Sequence, residues 1–289
     1  MMKKKTIIIG SSGKIGSFFF LKRKKNQILT YYKNKFPGGI KFDLNSDNIY
    51  PLIKKYKIDK AVILSAYSDP DFCKKNKRIS NKLNIIKTKK LIEALVWNKI
   101  YFIFFSSEQV FDGKKGNYKE EDLPNPISLY GKQKYIIENF IKKMTQNYCI
   151  FRIAKTYDNN VHDNTLISDF LKKSKDKSLV YAAKDQKFSP LYVFDLVKIT
   201  NFFLKKKIIG TYNIGGNEKI SRYNLYKTFN NLLKNNKQYS RVKLFKINLK
   251  YLKFFENRPL NLTFNIKRLL KIINFELTDI KQIFLKTVK

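Results

Sequence analysis

Short apolar runs alternate with amphipathic stretches along the first half of the chain. Thr6–Gly10 is apolar and β-branched, as a strand buried on both faces must be. Lys14–Lys25 then reads as a helix and Gln27–Tyr32 as a second strand. A third short strand falls at Ile40–Phe42, followed by Asp43 and a helix around Ile49–Tyr56. Ala61–Ala66 is the next strand. A long helical stretch over Phe72–Asn98 leads to the strongly apolar strand Tyr101–Phe105, which ends at Ser106-Ser107. A loop rich in charge and proline, Asp112–Pro126, precedes a helix holding Tyr130 and Lys134, and Tyr148–Ile153 is again a strand. This alternation predicts an α/β fold with a doubly wound parallel sheet, whose ligands lie beyond the carboxyl ends of the strands. After Tyr157 the regularity declines. Phe188–Val193 and Thr211–Ile214 read as strands returning to the sheet, with Asp195 as N-cap of a helix over Leu196–Leu204.

The turn after the first strand, Gly10-Ser-Ser-Gly13-Lys-Ile-Gly16, opens directly into a helix. Glycines there permit close approach of a pyrophosphate, and a helix N-terminus favours the anion. Gly10, Ser12, Gly13, Lys14, Ile15 and Gly16 are therefore the candidate dinucleotide cradle of a Rossmann-type sheet. Asp43 with Leu44 suits either an adenine contact or a helix entry. The end of the second strand has no acidic residue to hold a ribose diol, so Lys33 or Lys35 meeting a 2′-phosphate favours NADPH, with NADH the alternative. Ser65, Ala66 and Tyr67 fall at the same sheet edge. Asn84 is a candidate buried bracket. The expected organisation is a dinucleotide-binding domain of residues 1–157 plus 188–216, and a smaller C-terminal substrate-binding lobe of residues 158–187 plus 217–289.

Composition changes the picture at one point. The 289 residues carry 60 Lys and Arg against 22 Asp and Glu, a formal charge of +38. Such a charge suggests a nucleic-acid partner. Yet only seven of the basic residues are Arg, and the lysines spread over nearly every segment, as base-composition drift would leave them. No specific nucleic-acid partner is expected. His162, the only histidine, reads as a loop residue and gives a Ser-His-Asp mechanism little to work with. Cys73 and Cys149 have no metal-ligand spacing, and no metal site is expected. Lys3-Lys4-Lys5 before Thr6–Ile9 imitates a secretory leader, but the glycine loop interrupts the apolar run; a cytoplasmic protein without a membrane span is expected.

Tyr130-Gly-Lys-Gln-Lys134 places phenol and ammonium about one helical turn apart, on one face. An ammonium near a phenol lowers its pKa and makes it a usable acid or base near neutral pH. Upstream stands Ser106-Ser107-Glu108-Gln109-Val110-Phe111-Asp112-Gly113, and around it Tyr118-Lys-Glu-Glu-Asp122, Asn125-Pro-Ile-Ser-Leu-Tyr130 and Ser65-Ala66-Tyr67-Ser68. Phe188-Ser-Pro-Leu-Tyr-Val193, Tyr212-Asn-Ile-Gly-Gly216 and Arg258-Pro259 continue the series. Together these segments resemble the extended short-chain dehydrogenase/reductases, and among them most the dTDP-4-dehydrorhamnose reductase family, over essentially the whole chain.

The resemblance implies a reductase of a nucleotide-linked 4-keto-6-deoxy sugar, working in deoxysugar and cell-surface polysaccharide biosynthesis. Ser107 then stands where the family has its catalytic Thr, and Tyr130 and Lys134 match its catalytic pair, which also holds the nicotinamide ribose. Glu108-Gln109 replaces the family's Asp-Tyr, and Asp158 replaces the glycine that usually follows the tyrosine at Tyr157. Two alternatives stay open: a nucleotide-sugar epimerase or dehydratase, and a non-catalytic cofactor-binding regulatory subunit, as the beta subunit of methionine adenosyltransferase resembles this family. A homodimer also stays open. If the charge is drift, DNA binding is weak, indifferent to sequence and largely lost by moderate salt, while reductase activity survives the same series. Sequence-selective DNA binding that persists at physiological salt would reverse that ranking.

Overall fold

The computed structural model describes residues 4–160, 165–176, 179–234 and 236–289. His162 lies outside them. Buried β-branched and aromatic residues build a central sheet from β1 (Lys5–Ile9), β2 (Gln27–Tyr31), β3 (Ile40–Lys41), β4 (Ile58–Ile63), β5 (Tyr101–Ser107) and β6 (Tyr148–Ile153), with Gly210–Ile214 as the last strand. Across the seven strands the order is Gly210–Ile214, β6, β5, β4, β1, β2, β3, and β1 runs parallel to both β2 and β4. This is the doubly wound parallel sheet expected from the alternation. β5 and β6 are buried along their whole length, which explains why neither shows a polar face in the sequence. Strand order reverses between β1 and β4, and ligands of such sheets bind outside the carboxyl ends at that switch point.

The helices are α1 (Lys14–Leu21), α2 (Tyr50–Tyr56), α3 (Pro70–Lys75), α4 (Lys77–Asn81), α5 (Thr88–Trp97) and α6 (Leu129–Met144), with a π-helical stretch, Lys82–Lys87, between α4 and α5. The single helix expected over Phe72–Asn98 is thus broken. It starts earlier, because Asp69 accepts the Phe72 N–H at 3.0 Å and Pro70 suits the first turn. It breaks at Asn76, whose φ of −115° and ψ of 50° leave the helical region while its side chain bonds back to the Phe72 carbonyl at 3.2 Å.

Thr211–Ile214 does return to the sheet, whereas the expected strand over Phe188–Val193 does not. Lys187–Phe188 pairs antiparallel with Ile220–Ser221, and Leu191–Tyr192 pairs parallel with Thr156–Tyr157. Pro190 between them has no N–H to offer a ladder. Asp195 is not an N-cap either. It sits in the first turn of the helix Val193–Lys206, and its carboxylate accepts the Thr278 N–H at 2.6 Å and hydroxyl at 3.1 Å.

Two compact units result. The first comprises residues 1–110, 124–152 and 197–212, the second residues 111–123, 153–196 and 213–289. The second unit has its own core, in which Phe170, Tyr226, Phe229 and Phe284 pack, the rings of Phe229 and Phe284 lying 4.2 Å apart and nearly parallel. Within it, sequence motifs far apart in the chain meet. Phe111 stacks on Tyr118 at 4.1 Å, the Tyr118 hydroxyl donates to Asp112 at 2.6 Å, and Glu120 accepts the Asn213 N–H at 3.0 Å. A side chain on Gly113 (φ +78°) would strike Pro259 at 2.6 Å, and one on Gly216 the Pro190 carbonyl at 1.9 Å. These motifs are therefore scaffold.

In the first unit the turn after β1 is tight. A Cβ at Gly16 would lie 2.3 Å from the Gly10 carbonyl oxygen and 2.5 Å from the Ser11 Cα, whereas one at Gly13 would meet only the Gly10 oxygen at 3.3 Å. Gly16→Ala is accordingly expected to destabilise by about 1–3 kcal/mol, as overpacking against backbone does. Gly13→Ala is expected to stay within about 0.5 kcal/mol. Paired urea-unfolding curves decide between them, and equal losses would contradict this account of the turn.

Candidate active site

Gly10 ends β1 at φ +94°, with its N–H held by the Thr30 hydroxyl at 3.1 Å. Ser11 donates back to the Ile8 carbonyl at 2.8 Å, so the turn is fixed from both sides. α1 starts immediately afterwards. Its N-cap is Gly13, no side chain caps it, and no acidic residue occupies its first turn. Its first amides and the open face of Gly13 therefore fit a pyrophosphate. Ile15 is half-buried and Lys14 exposed, and Ser12 accepts the Tyr32 N–H at 3.5 Å. The half-buried Ser65 and Ala66 follow β4, and the Ser65 side chain and backbone press against Gly10, leaving no room for a Cβ there.

Ser107 ends β5, and Tyr130 and Lys134 project from α6. All are buried, with exposures of 8%, 7% and 4%. α6 begins where it does because Ser128 accepts the Gly131 N–H at 3.1 Å. Ser128 in turn donates to the Gln109 side chain at 2.9 Å, and the Gln109 N–H donates to the Ser107 hydroxyl at 3.2 Å. A Cβ on Gly131 would fall 2.0 Å from the Gln109 carbonyl oxygen. Glycine at this place lets the helix close onto the segment after Ser107. Ser107 thus accepts from Gln109, and its hydroxyl also shares a hydrogen bond with Tyr130.

The Tyr-x-x-x-Lys spacing predicts a phenol pulled below its ordinary pKa. The structure sets the opposite direction: burial pushes Tyr130 well up, Cys73 and Glu108 add to it, and only the hydrogen bond with Ser107 pulls back. The ammonium does not offset the burial. Lys134 Nζ donates to the Phe105 carbonyl at 2.7 Å and lies over the Phe104 ring at 4.6 Å, 5.8 Å from the Tyr130 ring centre. Burial brings Lys134 down to about 7, against the opposing influence of Cys73 and Glu138.

Asn84 is the bracket that its position in the sequence suggested. It lies in the π-helical stretch, a geometry frequent at functional sites. Its carbonyl oxygen accepts the Tyr67 N–H at 2.9 Å, and its amide donates to the Tyr67 carbonyl at 2.9 Å and to Gln133 at 2.7 Å. Gln133 continues to Ser80 at 2.9 Å and Asn81 at 2.8 Å. The loop after β4 is thereby tied to the helix that bears Tyr130. Sequence reasoning missed Gln133, Ser128 and the Glu138–Arg152 pair. The last had a signal, since an arginine inside the apolar strand Tyr148–Ile153 requires a buried acceptor.

Leu44 is buried in the core of this unit. Asp43 forms a local turn, its carboxylate accepting the Asn45 N–H at 2.9 Å and side-chain amide at 3.2 Å, and the helix begins only at Tyr50. The helix-entry reading of Asp43 is therefore corrected, because Ile49 takes the N-cap position. Lys33 is exposed, with its ammonium 5.5 Å from the Tyr32 ring centre.

A family model described as the RmlD substrate binding domain matches residues 4–286. The chain belongs to this family. A dTDP-4-dehydrorhamnose reductase of Aggregatibacter actinomycetemcomitans is 25% identical over 167 residues, 57% of this chain and 56% of that protein, so the match spans little more than half of the relative. Methionine adenosyltransferase 2 subunit beta of Xenopus tropicalis is 24% identical over 235 residues, 77% of this chain and 70% of its own. The crystal structure of dTDP-4-dehydrorhamnose reductase from Bacillus anthracis in complex with NADP superposes with a TM-score of 0.84 over 99% of each chain at 20% identity, a likeness of fold.

Burial of Lys134 has a consequence for stability. Between pH 7 and its ordinary value of 10.5, the unfolded chain binds a proton at this site that the folded chain does not, so stability rises with pH across that window. Lys134→Met removes the contribution. Without added dinucleotide, the variant is expected to gain most over the parent at pH 6.5 and progressively less by pH 9, read as urea midpoints. A difference independent of pH would contradict the depressed ammonium.

Proposed function

We propose that this protein is an NADPH-dependent reductase of a keto group on a nucleotide-linked 4-keto-6-deoxy sugar, with NADH as the alternative cofactor. The observation that carries the reading is the convergence of the Ser107 hydroxyl, the Tyr130 phenol and the Lys134 ammonium in one buried group, in the same unit as the glycine turn. The family and the reductase relatives support it. Bound dinucleotide supplies the hydride. Gly13 and the first turn of α1 hold its pyrophosphate, and Lys33 is the nearest candidate for a 2′-phosphate. Ser107, oriented by the Gln109 N–H, donates to the carbonyl oxygen of the substrate. Tyr130, with its pKa pushed up by burial, stays protonated at neutral pH and passes its proton to the developing alkoxide. Lys134, one turn away, would hold the nicotinamide ribose. Glu108-Gln109, where the family has Asp-Tyr, tunes the choice of sugar.

A second reading has an observation of its own. The match to a methionine adenosyltransferase beta subunit covers more of both chains than the match to the reductase. Under it the unit binds dinucleotide and regulates a partner without turnover. A screen of 4-keto nucleotide sugars that follows NADPH and NADH oxidation separates the two. Oxidation dependent on one sugar supports the reductase, and binding of dinucleotide without oxidation of any supports the regulator. Within the reductase reading, Tyr130→Phe is expected to lower kcat by at least about a hundredfold while dinucleotide affinity changes less than about threefold. Turnover within a few-fold of the parent would remove Tyr130 from the donor role.

A further inference from the structure

Beneath the reducing group lies a second buried cluster that the chemistry above does not use. Glu138, one turn beyond Lys134 on α6, is fully buried, as is Arg152 on β6. The guanidinium grips the carboxylate through Nε at 3.1 and 3.2 Å and through a terminal nitrogen at 2.8 Å. The Ser106 hydroxyl donates to the same carboxylate at 2.6 Å, and the Lys142 ammonium stands 4.0 Å away. One carboxylate thus joins the helix that bears Tyr130 and Lys134, the strand that bears Ser107, and the neighbouring strand β6. An unpaired charge at this depth would be costly, and an apolar trio would pack as well, so stability alone does not account for the cluster.

Resting on the reductase reading, we propose that Glu138 is a positioning residue: it locks α6 in register with the end of β5 and keeps the Lys134 ammonium charged. Register follows from the connections. Ser106 is tied to Glu138 on one face of β5, the Phe105 carbonyl before it accepts Lys134 at 2.7 Å, and Ser107 comes next. A slip of the helix along the strand breaks all of these together. The charge follows from the surroundings. Burial works against the ammonium, and the groups acting on Lys134 are Glu138 from its own helix and Cys73 from α3. Glu108, in the short turn after β5, acts on Tyr130. Arg152 and Lys142 face Glu138 rather than Lys134. Neutralising Glu138 removes the near negative charge and exposes the positive charge of Arg152, and both changes disfavour the ammonium.

The two halves of the proposal are tested separately. The buried amine is followed by its lysine 15Nζ resonance, assigned by its loss in Lys134→Met, across a pH series in the folded protein without substrate. The midpoint is expected to fall by about one unit in Glu138→Gln, a size typical of losing one near charge. If Glu138→Gln does not fold, the neutral pair Glu138→Met with Arg152→Met replaces it, and its midpoint is likewise expected to fall. An unchanged midpoint in the variant that folds overturns the charge role. For register, Ser106→Ala keeps the ion pair and is expected to lower kcat five- to tenfold, with KM for NADPH and the 15Nζ midpoint unchanged. Full parental kcat in Ser106→Ala overturns the positioning role. If the parent oxidises NADPH with no keto sugar, the reductase reading falls, whereas the 15Nζ titration still judges Glu138.

Discussion

Burying the Lys134 ammonium removes most of its hydration; the Phe105 carbonyl at 2.7 Å and the face of Phe104 stand against it, and Cys73 and Glu138 favour its charge from nearby. The carbonyl and the ring come from the end of β5 and the amine from α6, so these contacts hold only while strand and helix keep one alignment. Much else in the first unit serves that alignment. Gly131 admits the Gln109 carbonyl, Ser128 caps α6 and ties it to Gln109, and Gln133 ties it to Asn84. Ser107, Tyr130 and Lys134 are one end of a polar framework set into an apolar sheet.

The framework also explains why Tyr130 and Lys134 shift in opposite directions. Both suffer the same loss of water, which disfavours a phenolate and an ammonium alike. The neutral phenol is thereby kept loaded with its proton. The ammonium is left near its midpoint, where nearby charge has the greatest effect on its state.

Much of this was legible in the sequence, and the reasons differ by element. Strands buried on both faces announce themselves as short apolar runs, and the glycine turn and the Tyr130/Lys134 spacing are local patterns, so each could be read without coordinates. What escaped was set by side-chain hydrogen bonds, by burial and by pairing partners. The break at Asn76 depends on a back-bond to Phe72 and on the switch to π-helix, neither of which alters hydrophobic spacing. Lys187–Tyr192 has strand composition, but its pairing partners lie outside the main sheet. The direction of the Tyr130 shift was set by burial, and a four-residue spacing fixes only the shared face.

Every side chain assigned to proton and hydride chemistry belongs to the first unit, whereas the stacked Phe111–Tyr118 pair, Pro190 and Pro259 scaffold the second. Mutation can therefore explore the two at different rates. A substitution in the aromatic core of the second unit acts on the packing of that unit and touches none of those side chains.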